Sequence, residues 1–204
     1  MYQPVKKKVV FFGDSITEQG AKPGGYIDLL NKKLEAANEA DKYELLGAGI
    51  GGNKVYDLYL RMEEDVLAKN PDMVFIWIGV NDVWHKSTFG TGTDPDKFEK
   101  FYVAIIKKLQ ARNISIVLVT PASIGEKYDN TNQQDGDLNA YAEIIRKLAT
   151  DYHCGLCDLR KIVMDYEKEN NTNNQRAGVL TADGVHLNAK GNEMVADKFY
   201  SFLK

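Results

Sequence analysis

The sequence has few of the residues that signal metal centres, disulfide frameworks or membrane spans. Only two cysteines and three histidines occur among its 204 residues. A zinc site needs about four ligands, and a bilayer span needs about 20 consecutive apolar residues. The longest apolar stretch runs only from Met73 to Val80. We therefore predict no metal site and no membrane span.

An excess of charge of one sign is also missing. The 26 lysines and arginines nearly balance the 29 aspartates and glutamates, which leaves a net charge of −3. Nucleic-acid-binding proteins usually carry a clustered positive charge, so we expect no nucleic-acid partner. The apolar fraction of 44% and the charged fraction of 27% are ordinary for a globular protein. A length of 204 residues fits a single domain over residues 1–204.

The cysteines and the first residues of the chain say little about its compartment. Cys154 and Cys157 form an isolated C-x-x-C within a segment that reads as a strand, so we interpret them as small apolar side chains rather than a redox pair. The first eight residues include three lysines but no apolar signal core. The chain as written is expected to be cytoplasmic, or exported if a signal peptide has been removed.

Short apolar runs alternate with amphipathic stretches along the chain. The apolar runs are typical of buried strands, and the amphipathic stretches are typical of helices. Their alternation predicts an α/β fold with a five-stranded parallel sheet and helices on both faces. Ligands of such sheets bind beyond the carboxyl ends of the strands. The predicted strands are Val9–Phe12, Tyr43–Leu46, Met73–Ile78, Ser115–Val119 and Gly155–Leu159, and the predicted helices cover about residues 25–38, 54–69, 95–112, 138–152 and 189–203.

A serine and a histidine at this edge of the sheet could form a nucleophile and its base. Ser15 directly follows the first predicted strand, and a serine nucleophile needs a histidine base that a third group orients. His186 has a carboxylate, Asp183, three residues earlier in a polar turn, a spacing that lets the carboxylate reach the imidazole. Taken alone, Ser15 is more typical of a helix N-cap, a common role for a serine at such a position.

Two further positions could stabilise negative charge on a substrate. Asn81 follows the most apolar strand, where its amide could donate to an oxyanion or form an Asx turn. Gly52 follows the second strand, and a glycine allows the backbone to approach a ligand closely.

The order of these motifs resembles that of the SGNH, or GDSL, hydrolase family. Ser15, Gly52, Asn81 and His186 match its four sequence blocks. The resemblance implies a flavodoxin-like three-layer α/β/α sandwich and an esterase that needs no cofactor. It implies Ser15 as nucleophile, His186 as base and Asp183 as its partner, with an oxyanion hole from the Ser15 and Gly52 amides and the Asn81 side chain.

A narrower resemblance points to the carbohydrate acetylesterase branch, which includes xylan acetylesterases. It rests on the segments 49–53, 63–66 and 79–84 and implies a small-molecule or oligosaccharide ester as substrate. Two features depart from the pattern: Ile16 replaces the leucine of Gly-Asp-Ser-Leu, and Gly51 and Lys54 stand where relatives often have serine and threonine.

Three residues near the predicted site are candidate substrate contacts. Trp84 could stack on a sugar ring or form an apolar wall, and His85 lies next to it. Asp14 is the third candidate, although holding the Ser15 loop is the favoured interpretation for it. The polar segments 86–93 and 126–137 either stay solvated or act as lids.

Three other interpretations of the sequence stay open. The run Gly47–Gly52 has the G-x-G-x-x-G form of a dinucleotide-binding oxidoreductase, but no acidic residue follows at the usual distance. A non-catalytic sugar-binding domain is a second alternative, and a thioesterase or lysophospholipase with a long acyl groove is a third. An oligomer is compatible with all of them.

Overall fold

The computed structural model describes residues 5–204, in which five strands form one parallel sheet. The strands are β1 (Lys7–Gly13), β2 (Tyr43–Gly49), β3 (Met73–Trp77), β4 (Ser115–Val119) and β5 (Gly155–Cys157). Their order in the sheet is β2-β1-β3-β4-β5, and every neighbouring pair is parallel. This confirms the predicted sheet, and the order is that of flavodoxin-like folds.

Helices cover both faces of this sheet, as predicted. In the sheet, β2 lies on one side of β1, and β3, β4 and β5 follow in order on the other side. Because crossovers between parallel strands are right-handed, this reversal of direction places the connecting helices on opposite faces of the sheet. The helices are α1 (Ser15–Gly20), α2 (Tyr26–Ala36), α3 (Val55–Asp65), α4 (Val80–Phe89), α5 (Pro95–Gln110), α6 (Asp135–Asp151), α7 (Leu159–Asn170) and α8 (Ala189–Tyr200). On one face α2 packs on α8, and on the other α5 lies between α3 and α6.

The central strands are buried from end to end because helices cover both sides. All five residues of β3 are buried, as are the last five of β1. The Phe11 and Phe75 rings lie 5.0 Å apart, and the Phe199 ring of α8 lies 4.8 Å from that of Phe75. Such packing fixes the strand ends that carry the polar residues. Both cysteines are free, and burial raises the pKa of Cys157 to about 12.

Three helices and several strand ends differ from the sequence prediction, and β5 stops at Cys157 because α7 begins at Leu159. The rim segment expected to be irregular contains α4, so residues 86–89 are helical rather than part of a loop. The short α1 and the whole of α7 were also not predicted. β2 continues through a glycine-rich stretch to Gly49, because its backbone pairs with Gly13 of β1. Because backbone pairing needs no side chain, a glycine-rich segment whose composition predicts a turn can still extend a strand.

Candidate active site

Ser15 lies at the carboxyl end of β1, where the chain turns sharply into α1. The carboxylate of Asp14 accepts a hydrogen bond of 3.0 Å from the Ile16 amide and so caps this helix. A side chain at Gly13 would collide with Thr17 and the Trp77 carbonyl, which explains the glycine before the turn. The turn places the Ser15 hydroxyl at the functional edge of the sheet.

His186 and Asp183 complete a hydrogen-bonded chain that starts at Ser15. The Ser15 Oγ atom lies 3.0 Å from His186 Nε2, and His186 Nδ1 lies 2.7 Å from Asp183 Oδ2. Because Nδ1 faces a carboxylate, it carries the proton, and Nε2 is then free to accept one. Partial burial raises the pKa of Asp183. Hydrogen bonds from His186 and from the backbone outweigh this effect, so the pKa of Asp183 lies below its usual range.

The turn that carries Asp183 and His186 is closed by the backbone. The Ala182 amide donates to the His186 carbonyl at 2.8 Å, and Asp183 Oδ1 accepts from the His186 amide at 2.8 Å. Gly184 has a φ of +99°, a left-handed conformation that favours glycine. Its carbonyl accepts a 2.7 Å hydrogen bond from the Gly125 amide, which ties the turn to the segment after β4.

Glu126 supports the segment that leads into the same turn. The sequence did not predict this role. The Glu126 side chain is fully buried. Its carboxylate accepts hydrogen bonds of 2.5–2.8 Å from three successive amides, those of residues 179–181. Backbone amides more than 50 positions away carry no sequence signal. The segment leading into the Asp183 turn is therefore held by a buried side chain that accepts hydrogen bonds from its backbone.

A second buried acid, Glu167 of α7, lies in this region. Its side chain is 1% exposed, and its Oε1 atom has no hydrogen-bond partner among the described residues. Burial raises the pKa of Glu167 to about 8, and the nearby Glu126 carboxylate adds to the rise. The folded chain therefore holds this proton to higher pH than the unfolded chain. The resulting stability is complete below the ordinary glutamate pKa and is lost as the pH rises through about 8.

Replacement of Glu167 by glutamine is expected to flatten the pH dependence of stability. The wild-type free energy of unfolding should fall by on the order of 3 kcal/mol relative to that of Glu167→Gln between pH 5 and pH 9. Urea denaturation at both pH values measures this difference. Glu169→Gln, at an exposed position on the same helix, is the control and should keep the wild-type slope. Parallel curves for wild type and Glu167→Gln would contradict the prediction.

Gly52 and Asn81 lie on neighbouring segments at the same edge. Gly52 has a φ of +77°, and a side chain built there would approach the ring of His85. The Asn81 amide group donates to the Asn53 carbonyl at 3.1 Å and lies 3.5 Å from Asp14 Oδ2. The first contact orients the amide, and the second is at the limit of a hydrogen bond. One N–H of Asn81 is therefore only weakly engaged within the chain.

Arg61 holds these segments together, and the sequence analysis did not identify it. Its guanidinium donates to the Gly13 carbonyl at 2.7 Å and to the Ala48 carbonyl at 3.0 Å. Its Nε atom donates to Asn53 Oδ1 at 2.7 Å, and Asp65 balances its charge. One side chain on α3 thus joins the ends of β1 and β2 to the loop that follows Gly52.

Two buried carboxylates lie behind the edge of the sheet. Burial raises the pKa of Asp14 to about 6 and that of Asp82 to about 7. Asp82 accepts a hydrogen bond from the Val55 amide and so positions the start of α3. Asp14 is only 2% exposed, and its carboxylate caps α1. A substrate contact by Asp14 stays a prediction.

Trp84 and His85 are half-buried on α4, beyond Asn81. Their ring centroids lie 6.0 Å apart, and the His85 ring contacts that of Phe89. Burial, together with the positive charge of Lys54, lowers the pKa of His85. The largely buried Lys54 ammonium donates to the Gly52 carbonyl at 3.3 Å. Trp84 and His85 are both partly exposed, and the His85 ring lies close to Gly52.

The glycine run that suggested a dinucleotide site has a different structure. Gly47 and Gly49 lie inside β2 and pair with Phe11 and Gly13 of β1. A dinucleotide fingerprint needs its glycines in the turn between a strand and a helix. Nowhere in residues 5–204 do three or more histidine, cysteine or acidic side chains gather as a metal-ion cluster. No helix in the described range is long and apolar enough to cross a bilayer.

A family comparison covers most of the chain. Residues 11–194 match the profile of the GDSL-like lipase/acylhydrolase family. The chain belongs to the GDSL-like lipase/acylhydrolase family. As a GDSL hydrolase it is a carboxylic ester hydrolase, and the matched range includes Ser15, Gly52, Asn81 and the Asp183–His186 turn.

Several relatives of this GDSL hydrolase are acetylxylan esterases. The crystal structure of the acetyl xylan esterase AlAXEase is 60% identical, with a TM-score of 0.96, and the match covers 97% of this chain and 100% of the other. An acetylxylan esterase of Geobacillus stearothermophilus is 28% identical over 211 residues, 95% of this chain and 92% of the relative. A catalytic mutant of Axe2, an acetylxylan esterase from the same organism, is 26% identical, with a TM-score of 0.81 and coverage of 98% and 95%.

Proposed function

We propose that this GDSL hydrolase removes acetyl groups from the hydroxyls of carbohydrates, with Ser15, His186 and Asp183 as its catalytic triad. The observation that carries the proposal is the unbroken chain from Ser15 Oγ through both nitrogens of His186 to Asp183, with distances of 3.0 and 2.7 Å. The similarity to acetylxylan esterases, one of them 60% identical, supports the substrate class.

The proposed reaction proceeds through an acyl-enzyme. Ser15 attacks the ester carbonyl while His186 Nε2 takes its proton, and Asp183 stabilises the imidazolium that forms. The sugar hydroxyl leaves with a proton from His186, and the acetyl group stays on Ser15. A water molecule then attacks the acetyl-enzyme, with His186 again as base, and acetate is released. Every step uses only groups of the chain and water.

Three donors would stabilise the negative charge on the ester oxygen. The Ser15 and Gly52 amides are the backbone donors, and the weakly engaged N–H of Asn81 is the third. Arg61 and Asp14 fix the segments that carry these donors, so little reorganisation is needed when the charge develops. We therefore assign Arg61 and Asp14 as positioning residues.

The rim of the site favours a short acyl group over a fatty acid. The segment between β4 and α6 presents mainly polar side chains at the edge of the site, including Lys127, Asn132 and Gln134. A fatty-acyl groove would need an apolar lining, because each buried methylene contributes about 0.8 kcal/mol. A thioesterase or lysophospholipase activity is therefore the disfavoured alternative.

The rate is expected to fall as the acyl chain of the ester grows. A small acetyl pocket resists longer groups, and forcing extra methylenes into a filled site costs about 1–3 kcal/mol. We expect kcat/KM for p-nitrophenyl butyrate to be roughly 5- to 100-fold below that for the acetate. The measurement is kcat/KM for the p-nitrophenyl esters from acetate to octanoate.

A comparison with a carbohydrate substrate complements the chain-length series. Acetylated xylo-oligosaccharides are assayed beside the p-nitrophenyl esters, so that a preference for acetyl groups is tested on a carbohydrate as well. A steady rise in kcat/KM from acetate to octanoate would overturn the proposal and favour the lipase-type alternative.

A further inference from the structure

A cavity of about 250 Å³ lies beside Trp84. We call it the Trp84 cavity. Side chains from α4, from the segment between β4 and α6, and from Arg176 line it. Its volume lies below the roughly 300–1,000 Å³ of most small-molecule pockets, which suits a single sugar ring. Its wall includes Trp84, Ile124, Lys127, Asn132, Gln134 and Arg176.

The elements that form the Trp84 cavity also carry the proposed catalytic groups. Asn81 and Trp84 lie on the same helix, one turn apart. The Gly125 amide, next to Ile124 of the cavity wall, donates to the Gly184 carbonyl within the turn of the triad. The Arg176 carbonyl accepts from the Glu126 amide at 2.9 Å. The Trp84 cavity therefore shares α4 and the segment after β4 with the site of ester hydrolysis.

The lining of the Trp84 cavity suits a carbohydrate. The half-buried Trp84 ring offers an apolar face, and the side-chain amide oxygen of Gln134 offers an acceptor. Gln134 donates to Ser87 Oγ at 3.0 Å, which anchors the segment against α4. An aromatic face surrounded by fixed polar groups matches the apolar face and the hydroxyl edge of a pyranose ring.

The charge of the Trp84 cavity is positive, in contrast to the net charge of −3 of the whole chain. Lys127 and Arg176 line it and no acidic side chain does. Neither takes part in an ion pair within the part of the chain that the structure describes. The nearby Asp129 is engaged by Thr131 and Asn174. Two cations without a carboxylate partner leave the cavity complementary to an anion.

We propose that the Trp84 cavity is a subsite for a hexuronate residue, with its ring on Trp84 and its carboxylate at Lys127 and Arg176. The preferred substrates are then acetylated oligosaccharides that carry a uronic acid beside the acetylated sugar. The subsite rests on the proposed acetylesterase function, because it names the class of carbohydrate that the same active site accepts.

The test compares three acetylated oligosaccharides of matched length. One is a neutral xylo-oligosaccharide, one carries a glucuronic acid branch, and one is an oligogalacturonate in which the uronic acid forms the backbone. At low ionic strength kcat/KM should be about tenfold higher for one of the acidic substrates than for the neutral one, and salt should reduce the difference. The acidic substrate with the higher kcat/KM shows whether the subsite accepts a uronate on a branch or one in the backbone.

Two charge variants separate a local site from a general charge effect. The double variant Lys127→Gln/Arg176→Gln should lower the acidic-to-neutral ratio of kcat/KM about tenfold. Lys107→Gln/Lys168→Gln removes the same charge from exposed positions on α5 and α7 and should leave that ratio unchanged.

The outcomes distinguish failure of the subsite from failure of the proposed function. Equal rates on acidic and neutral substrates, or a ratio that the double variant does not change, would overturn the subsite and leave the acetylesterase proposal standing. Hydrolysis of p-nitrophenyl acetate without hydrolysis of any acetylated saccharide would overturn the proposed function, and the subsite with it.

Discussion

Replacement of Ser15 by alanine is expected to lower kcat by about 10⁶-fold. The Ser15 Oγ atom lies 3.0 Å from the base that would activate it, and the proposed reaction passes through a covalent bond to this oxygen. Without it only the oxyanion donors and substrate binding would contribute, worth roughly 10³- to 10⁴-fold over the reaction in water. Hydrolysis of p-nitrophenyl acetate by purified wild type and variant measures the loss.

Covalent labelling identifies the nucleophile independently of the rate. A fluorophosphonate should add to Ser15 of the wild type, where mass spectrometry of the peptides locates the adduct, and should leave the Ser15→Ala protein unlabelled. Ser201→Ala, at an exposed position after α8, is the matched control and should keep both wild-type activity and labelling. An adduct on any other serine would require a different nucleophile.

Replacement of Asn81 by alanine is expected to lower kcat by about 10²- to 10³-fold with little change in KM. The amide of Asn81 is oriented by the Asn53 carbonyl, and its second N–H has only a 3.5 Å contact with Asp14. That N–H gains a strong acceptor only when the ester oxygen becomes negative. Its loss therefore raises the energy of the transition state more than that of the bound substrate.

A second variant distinguishes the effect of losing the hydrogen-bond donor from the effect of losing side-chain volume. Asn81→Asp keeps the shape but replaces the donor by an acceptor beside Asp14, so kcat should fall at least as far as in Asn81→Ala. Asn170→Ala, at an exposed position on α7, should retain wild-type kinetics. A folded Asn81→Ala protein with unchanged kcat would remove Asn81 from the oxyanion hole.

The parallel sheet could be predicted because its signals are local. Val9 to Phe12 form a continuous apolar run, and such a run is stable only where helices cover both faces of a strand. The location of the proposed site residues could be predicted for a related reason. Ser15 and Asn81 each follow a buried strand, and parallel strands bring their carboxyl ends to one edge.

The supports of the site could not be predicted, since they act through the backbone. Glu126 accepts from amides 53 to 55 positions away, and Arg61 donates to carbonyls of two different strands. A carboxylate or guanidinium bound to peptide groups has no partner residue type that a sequence pattern could reveal. The helix α4 was missed because polar residues at its exposed positions resemble those of a loop.

The sequence by itself determined the alternation of strands and helices, the order of the motifs and the spacing of Asp183 and His186. These depend on periodicity and on short separations along the chain. Only the tertiary structure decided that Ser15 Oγ lies within hydrogen-bond distance of His186, 171 positions away, and that Asp14 is buried. It also decided that Lys127 and Arg176 share a cavity with Trp84. Such contacts form only when packing of both helix layers on the sheet brings distant segments together, and no local pattern encodes that distance.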